Sequence, residues 1–304
     1  MRESSTDIDR KQIRIIANPF SGTGNKDNLR ELAEQYLDHN RYSYEICFTE
    51  YGGHARILAM EAVSKGCFMV VAAGGDGTVN EVASVLKGSD VVLAVLPYGS
   101  GNGFAAHIGV KRDIIRGFRT INTGKIHKVD SCTANDRFFL NIAGIGLDAT
   151  VAYKTKENKK RGFFPYFITT LQESLDFRFI DFEIDLGDQK MSGSYAMIVV
   201  ANASIYGYDF AIVPTADLED GLMDVLLVKK VAVFRYFLLA LRMLNKSFHK
   251  SPLVQFARVK KLTVQTRQKA YIHVDGEGFE AEPVTVFELH PASVNVIFPD
   301  NWKE

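Results

Sequence analysis

Gly74, Gly75, Asp76, Gly77 and Thr78 follow an apolar run at 67–73 (CFMVVAA) and precede a helix-like stretch at 79–87. This order sets a glycine turn with one carboxylate at a strand end, where an open parallel sheet holds phosphates. Glycine permits positive φ and lets a phosphoryl group approach the backbone N–H groups, while the following helix adds positive potential at its N-terminus. Asp76 could also serve as a plain helix cap. A second turn of this kind, LPYGSGNG at 96–103, runs off the apolar stretch 91–96 and offers Gly99, Gly101 and the side-chain donors Ser100 and Asn102. Two such turns imply a nucleotide.

Further segments add donors and acids. Asn18-Pro19-Phe20-Ser21-Gly22 follows the first strand-like run. It can supply N–H groups and the Ser21 hydroxyl to a phosphate nest, or simply start a turn at Asn-Pro. No GxxxxGK[ST] loop occurs, so triphosphate binding would rest on glycine nests and Mg²⁺ rather than on a P-loop lysine. Asp217, Glu219, Asp220 and Asp224 crowd around Gly221. Like charges this close repel, so either the loop is solvated or a cation neutralises it, and oxygen ligands at a tight turn suit Mg²⁺ or Ca²⁺. Asp275-Gly276-Glu277 ends another strand-like run; a DG pair is commonly a hairpin turn. The histidines lack HExxH or paired metal spacing, and no GxSxG elbow is present.

These residues need a scaffold, and the hydrophobic periods supply one. A β-like run at 13–18 is followed by Leu29, Leu32, Ala33, Tyr36 and Leu37 at i, i+3, i+4, i+7 and i+8, an amphipathic helix stripe, and then by a strand-like run at 42–48. The alternation continues through 53–65, 67–73, 78–87 and 91–96, which predicts a doubly wound parallel sheet with helices on both faces. Beyond about residue 123, strand-like runs follow one another at 125–133, 137–142, 177–186, 194–201, 223–228, 262–266, 271–275, 284–289 and 294–298. Helical insertions are expected near 163–175 and 231–248. The expected fold class is therefore α/β: an N-terminal doubly wound α/β nucleotide-binding domain over 1–124 and a C-terminal antiparallel β-sandwich domain over 125–291.

The 304 residues allow two compact domains, and 46% hydrophobic with 24% charged residues is ordinary globular composition. Lys+Arg and Asp+Glu are both 36, so global charge gives no argument for nucleic acid. Cys47, Cys67 and Cys132 lie in apolar runs without CxxC spacing and read as reduced core thiols of a cytosolic protein. Residues 1–11 lack the apolar core of a secretory signal, and the most apolar stretch, 231–250, is interrupted by Arg235, Arg242 and Lys246. Drawn as one helix, it places those three with His249 and Lys250 on one face, opposite Phe234, Phe237, Leu241, Leu244 and Phe248. Such a stripe can lie on an anionic membrane or pack on the sandwich. Lys154, Lys156, Lys159, Lys160 and Arg161 before the aromatic run 163–167 form a second membrane-facing candidate.

Taken jointly, NPFSG, GGDGT, GSGNG, DLEDGLMD and DGE resemble in order and spacing the diacylglycerol kinase catalytic-domain family. This family includes soluble bacterial lipid kinases and sphingosine kinases and is related more distantly to NAD kinases. The resemblance runs from about Ile13 to Pro299 and implies that 292–304 return to the first domain, leaving the sandwich to carry the lipid substrate and metal. It implies an ATP site lined by Asn18, Ser21, Gly22, Thr49, Gly74, Gly75, Asp76, Gly77, Thr78, Glu81, Gly99, Ser100, Gly101 and Asn102. It implies Glu277 as general base, with Asp76 the competing base on the sphingosine-kinase pattern. In the acidic loop it implies Mg²⁺ held by the Asp220 carboxylate and the main-chain carbonyls of Asp217 and Leu222. One departure concerns substrate: many bacterial diacylglycerol kinases carry Asp after the Asn of the second glycine turn, whereas Gly103 follows Asn102 here, as in the sphingosine-kinase version.

The activity implied is ATP- and Mg²⁺-dependent phosphorylation of the primary hydroxyl of a diacylglycerol-like or sphingoid lipid. The alternatives are a NAD kinase-like enzyme acting on a soluble substrate and a catalytically silent nucleotide- or lipid-binding regulator; joint retention of Asp76, Asp220 and Glu277 argues against the latter. The expected partners are the lipid and a membrane surface, without nucleic acid and with a homodimer allowed. The expected location is cytoplasmic, peripherally membrane-associated.

Overall fold

The computed structural model describes residues 10–22, 28–155, 179–207, 210–230, 235, 239, 242 and 245–302. Its contacts divide the chain into two units, one of Met1–Gly99, Ile108–His127 and Val294–Glu304, the other of Ser100–His107 and Lys128–Ser293.

In the first unit, β1 (Lys11–Ala17), α1 (Leu29–Tyr36), β2 (Tyr42–Phe48), α2 (His54–Ser64), β3 (Met69–Gly74), α3 (Asp76–Leu86) and β4 (Val92–Pro97) alternate as the periodicity requires. The strands pair in parallel in the order β4-β3-β1-β2. β3 and β4 are buried along their whole length, the signature of a parallel sheet covered on both faces. The apolar stripe of α1 packs Leu29 and Ala33 against Ile13, Ile15, Val71 and Leu96. One charge breaks this core: Arg14 on β1 is 1% exposed and bonds Glu45 on β2 at 2.8 Å and Glu61 on α2 at 3.2 Å. The hydrogen bond from Arg14 holds the Glu45 carboxyl below its ordinary value.

After α4 (Gly103–His107) and α5 (Ile114–Thr123), the chain changes to strands: β5 (Lys125–Ala134), β6 (Arg137–Phe139) and β7 (Ile142–Gly146), then α6 (Leu147–Thr155), then β8 (Ile180–Asp185) and β9 (Lys190–Ala201). Next come β10 (Ile205–Gly207), β11 (Phe210–Ala211), β12 (Met223–Lys229), β13 (Val254–Val259), β14 (Lys261–Gln265), β15 (Tyr271–Val274), β16 (Glu277–Glu280) and β17 (Val284–Phe298). The sandwich is antiparallel, with β9 paired to β7, β8 and β12. β8 alternates buried and exposed residues, so Ile180, Phe182 and Ile184 enter a core with Phe139, Ile198, Val225 and Phe287. β17 pairs antiparallel with β14 near its start and parallel with β4 at Asn295 and Val296, which carries the chain end back into the first unit.

Several sequence expectations are revised. The run 137–142 is two strands, because Leu140 and Asn141 turn away between β6 and β7. The single helix drawn through 231–250 does not persist: Arg235, Leu239 and Arg242 are helical, but Lys246 has φ 52 and Phe248–Lys250 form a 3₁₀ turn. A left-handed residue interrupts the i→i−4 ladder, so His249 and Lys250 do not continue that face. The expected insertion at 163–175 and the basic residues Lys156, Lys159, Lys160 and Arg161 lie outside the described residues. Among the described residues no helix is long and apolar enough to cross a membrane.

Candidate active site

Three glycine turns meet in the first unit at the C-terminal ends of β1, β3 and β4. Asn18 leaves β1 with its N–H donated to Ala73 O at 3.0 Å, and its side chain closes the first turn by accepting from Phe20 N–H at 2.9 Å. The Ser21 hydroxyl donates to Asn18 O at 3.0 Å. Gly22 has φ +63, and a Cβ there would lie 2.1 Å from Tyr98 O. The second and third turns are joined in the same way: Tyr98 and Gly99 donate their N–H groups to Gly74 O at 2.9 and 3.1 Å, and a Cβ on Gly75 would lie 3.2 Å from Gly99 Cα. Glycine at 22 and 75 is thus what lets three backbones close around one point, a nest of turns beside the N-terminus of α3.

Gly75, not Asp76, is the N-cap of α3, and Asp76 is its first residue, half-buried. The carboxylate therefore stands at a helix N-terminus beside the nest, where negative charge is favoured. Thr78 is buried, and Asn18 Nδ2 donates to its hydroxyl at 3.3 Å, tying the first turn to α3. Thr49, 5% exposed, is held by its N–H to Ala17 O at 2.9 Å. Glu81 faces the neighbouring helix: its two carboxylate oxygens accept the N–H groups of Gly53 at 3.0 Å and Ala55 at 3.1 Å, capping α2 across the gap between chain segments.

Ser100, Gly101 and Asn102 group with the second unit. Asn102 is 3% exposed, with φ 51, and its carbonyl accepts Ala106 N–H at the start of α4. Asp275 and Gly276 both have positive φ and join β15 to β16 with Val274 opposite Glu277, a two-residue hairpin. Asp275 does more than turn the chain. Its carboxylate accepts the N–H groups of Leu140 at 3.0 Å, Asn141 at 2.9 Å and Ile142 at 3.0 Å, pinning the hairpin to the β6–β7 link. Glu277 opens β16 with its side chain exposed. Gly278 lets α6 seat beside it, since a Cβ there would lie 2.4 Å from Tyr153 N. Behind the hairpin, His273 Nε2 meets Asp148 Oδ2 at 3.1 Å, and a Cβ on Gly144 would be 2.5 Å from that oxygen.

The acidic loop carries a cation that sequence reasoning missed. Arg258 on β13 bonds Asp220 through Nη2 and Asp224 through Nε, the latter at 3.0 Å. The other Asp220 oxygen accepts Leu222 N–H at 3.0 Å, and Asp217 accepts Glu219 N–H at 3.1 Å. Burial pushes the Asp224 carboxyl up to about 6, against the pull of Arg258. Asp130 clamps the loop from β5, accepting Gly221 N–H at 2.7 Å and Ala292 N–H at 2.8 Å. As arranged, one Asp220 oxygen carries the guanidinium and the other a backbone N–H, so a Mg²⁺ on this carboxylate would share it with Arg258. Among the described residues no cluster of three or more His, Cys, Asp or Glu side chains is arranged to hold a metal.

The model of the diacylglycerol kinase catalytic domain matches residues 12–134, and that of the YegS C-terminal NAD kinase beta sandwich-like domain matches residues 141–298. The chain belongs to the diacylglycerol kinase catalytic-domain family. A diacylglycerol kinase of Bacillus subtilis (strain 168) is 27% identical over 300 residues, spanning 97% of this chain and 98% of the relative. One of Staphylococcus aureus (strain bovine RF122 / ET3-1) is 29% identical over 275 residues, spanning 88% and 86%. A crystal structure of a diacylglycerol kinase from Bacillus anthracis str. Sterne shares the fold, with TM-score 0.72 at 20% identity, covering 95% of this chain and 97% of that one. Membership in the diacylglycerol kinase family supports a lipid kinase.

Proposed function

We propose that this chain transfers the γ-phosphoryl group of ATP to the primary hydroxyl of a diacylglycerol-like or sphingoid lipid at a membrane surface in the cytoplasm. The observation that carries the reading is the closure of three glycine turns on one point beside Asp76 in a chain of this family. The first-turn N–H groups of α3, held beside those turns, would bind and orient the phosphates. Mg²⁺ bound with the nucleotide would supply charge neutralisation on the phosphoryl oxygens, and Asp76 is the carboxylate beside the nest suited to hold it or its waters.

In the transfer, the lipid hydroxyl oxygen forms a bond to the γ-phosphorus, and the bond from that phosphorus to the bridging oxygen breaks with its electron pair leaving on ADP. The hydroxyl proton goes to Glu277, whose carboxylate is exposed on a hairpin fixed by Asp275. Asp76 is the rival acceptor. The experiment is to incubate purified protein with labelled ATP, Mg²⁺ and a total lipid extract, with NAD in a parallel tube, and to identify the product by mass. Labelled lipid is expected. Labelled NAD with no labelled lipid overturns the reading in favour of a NAD kinase-like enzyme.

A further inference from the structure

The loop after β2 holds an aromatic pair that no role above uses. Tyr51 is 56% exposed, and its ring stacks on that of His54 with centroids 4.7 Å apart and planes 4° from parallel. The pair is fixed from several sides. Glu50 N–H donates to His54 Nδ1 at 3.1 Å, which locks the imidazole orientation and leaves the proton of the neutral ring on Nε2. His54 N–H donates to Tyr51 O at 3.2 Å, and Glu81 clamps Gly53 and Ala55 on either side of His54. Thr49, two residues before Tyr51, is tied to the end of β1.

We propose that Tyr51, backed by His54, is the stacking platform for the nucleobase of the phosphoryl donor. β2 lies beside β1 and one strand further from β3, the strand that feeds the GGDGT turn. Neighbouring strands are about 4.8 Å apart, so the loop after β2 stands on the order of 10 Å along the sheet from that turn, the scale of a triphosphate and ribose. An aromatic face stacks on any base, because every base has a π-face. A lipid surface would also accept an exposed tyrosine, but it requires no fixed ring plane, and here four backbone hydrogen bonds hold the loop and the ring beneath Tyr51.

The inference rests on the kinase reading, and calorimetry with two probes separates them. Tyr51→Ala should weaken Mg-ATP about fivefold or more, the low end for loss of one stacked base, and leave inorganic tripolyphosphate affinity unchanged. Tyr51→Phe, which keeps the ring, should bind ATP as the wild type does, and both variants should keep the wild-type unfolding temperature. Equal ATP affinity in wild type and Tyr51→Ala overturns the platform while the kinase reading stands. Loss of binding to anionic vesicles with unchanged ATP affinity also overturns it, and assigns the ring to the membrane. A wild type that binds neither probe removes the kinase reading and the platform with it.

Discussion

Gly22 and Tyr98 approach so closely that a Cβ on Gly22 would sit 2.1 Å from the Tyr98 carbonyl oxygen. The contact joins the turn after β1 to the turn after β4, and the φ of +63 at Gly22 adds a second reason for glycine. Gly22→Ala should therefore push the turns apart and lower nucleotide affinity tenfold or more. Gly193→Ala is the control, because a Cβ there makes only ordinary contacts, the nearest at 3.5 Å to Tyr195, and the position lies within β9 in the second unit. It should raise stability by about 0.5–1 kcal/mol. Equal nucleotide affinities for the two variants would show that the nest tolerates opening.

Much of this geometry was legible because it is local. Glycine turns announce themselves beside apolar runs, and β2 was placed residue for residue by its alternation and flanks. Elements failed where the pattern was blurred. β7 (IAGIG) carries two glycines and passes directly into α6, so neither a turn nor an amphipathic stripe marks the junction. The sequence shows two apolar runs, 284–289 and 294–298, parted by His290, Pro291, Ala292 and Ser293, whereas β17 continues through them with a positive φ at Ala292. The side-chain partners were beyond reach altogether: Glu81 on Gly53, Asp275 on Asn141 and Arg258 on Asp220 join residues that only the folded chain brings together.

Asp76 stands at the first position of α3 without being its cap, so removing its charge should spare the fold. Asp76→Asn should lower kcat by on the order of 10²-fold or more, the range for losing general-base or electrostatic help. Circular dichroism should be unchanged. Near wild-type turnover would reduce the aspartate to a local helix residue.

The Asp220–Arg258 pair sets a competition with Mg²⁺. If Asp220 takes the metal, Mg²⁺ should raise the unfolding temperature in the absence of nucleotide, since a ligand bound only to the folded state stabilises it by mass action. Asp220→Ala should abolish that increment. Arg258→Met frees the carboxylate oxygen, so it should enlarge the Mg²⁺ increment even while lowering the unfolding temperature without metal. Three equal increments would place the metal elsewhere.

Arg14 and Glu45 offer a pH test of the first unit. Arg14 holds the Glu45 carboxyl below its ordinary 4.5. A carboxylate whose pKa is lower folded than unfolded contributes stability that is present above its unfolded pKa and is lost as pH falls through the folded one. Glu45→Gln should therefore unfold earlier than the wild type at pH 7, and the gap should close as the pH falls below 4.5 and through the lowered folded value. Because Glu45 is half exposed, the gap should be on the order of 1 kcal/mol or less. A gap that is constant from pH 7 to 3 would mean that packing, not charge, sets the cost.

Asp275 and Glu277 are two residues apart and should fail in different ways. Asp275 accepts three backbone N–H groups from residues 140–142, and a neutral amide supplies one acceptor oxygen where the carboxylate supplies two. Asp275→Asn should leave the Leu140 N–H, which alone meets the second oxygen, unsatisfied and cost about 1–3 kcal/mol of stability. Glu277 is exposed, so Glu277→Gln should keep the unfolding temperature and ATP affinity while slowing lipid phosphorylation. The paired measurement is thermal unfolding and calorimetric ATP binding against lipid turnover in mixed micelles. Unchanged turnover in Glu277→Gln passes the proton to Asp76, and lost ATP binding relocates Glu277 to the nucleotide. A stable but inactive Asp275→Asn would show instead that Asp275 acts on the reaction directly and that its backbone bonds are dispensable.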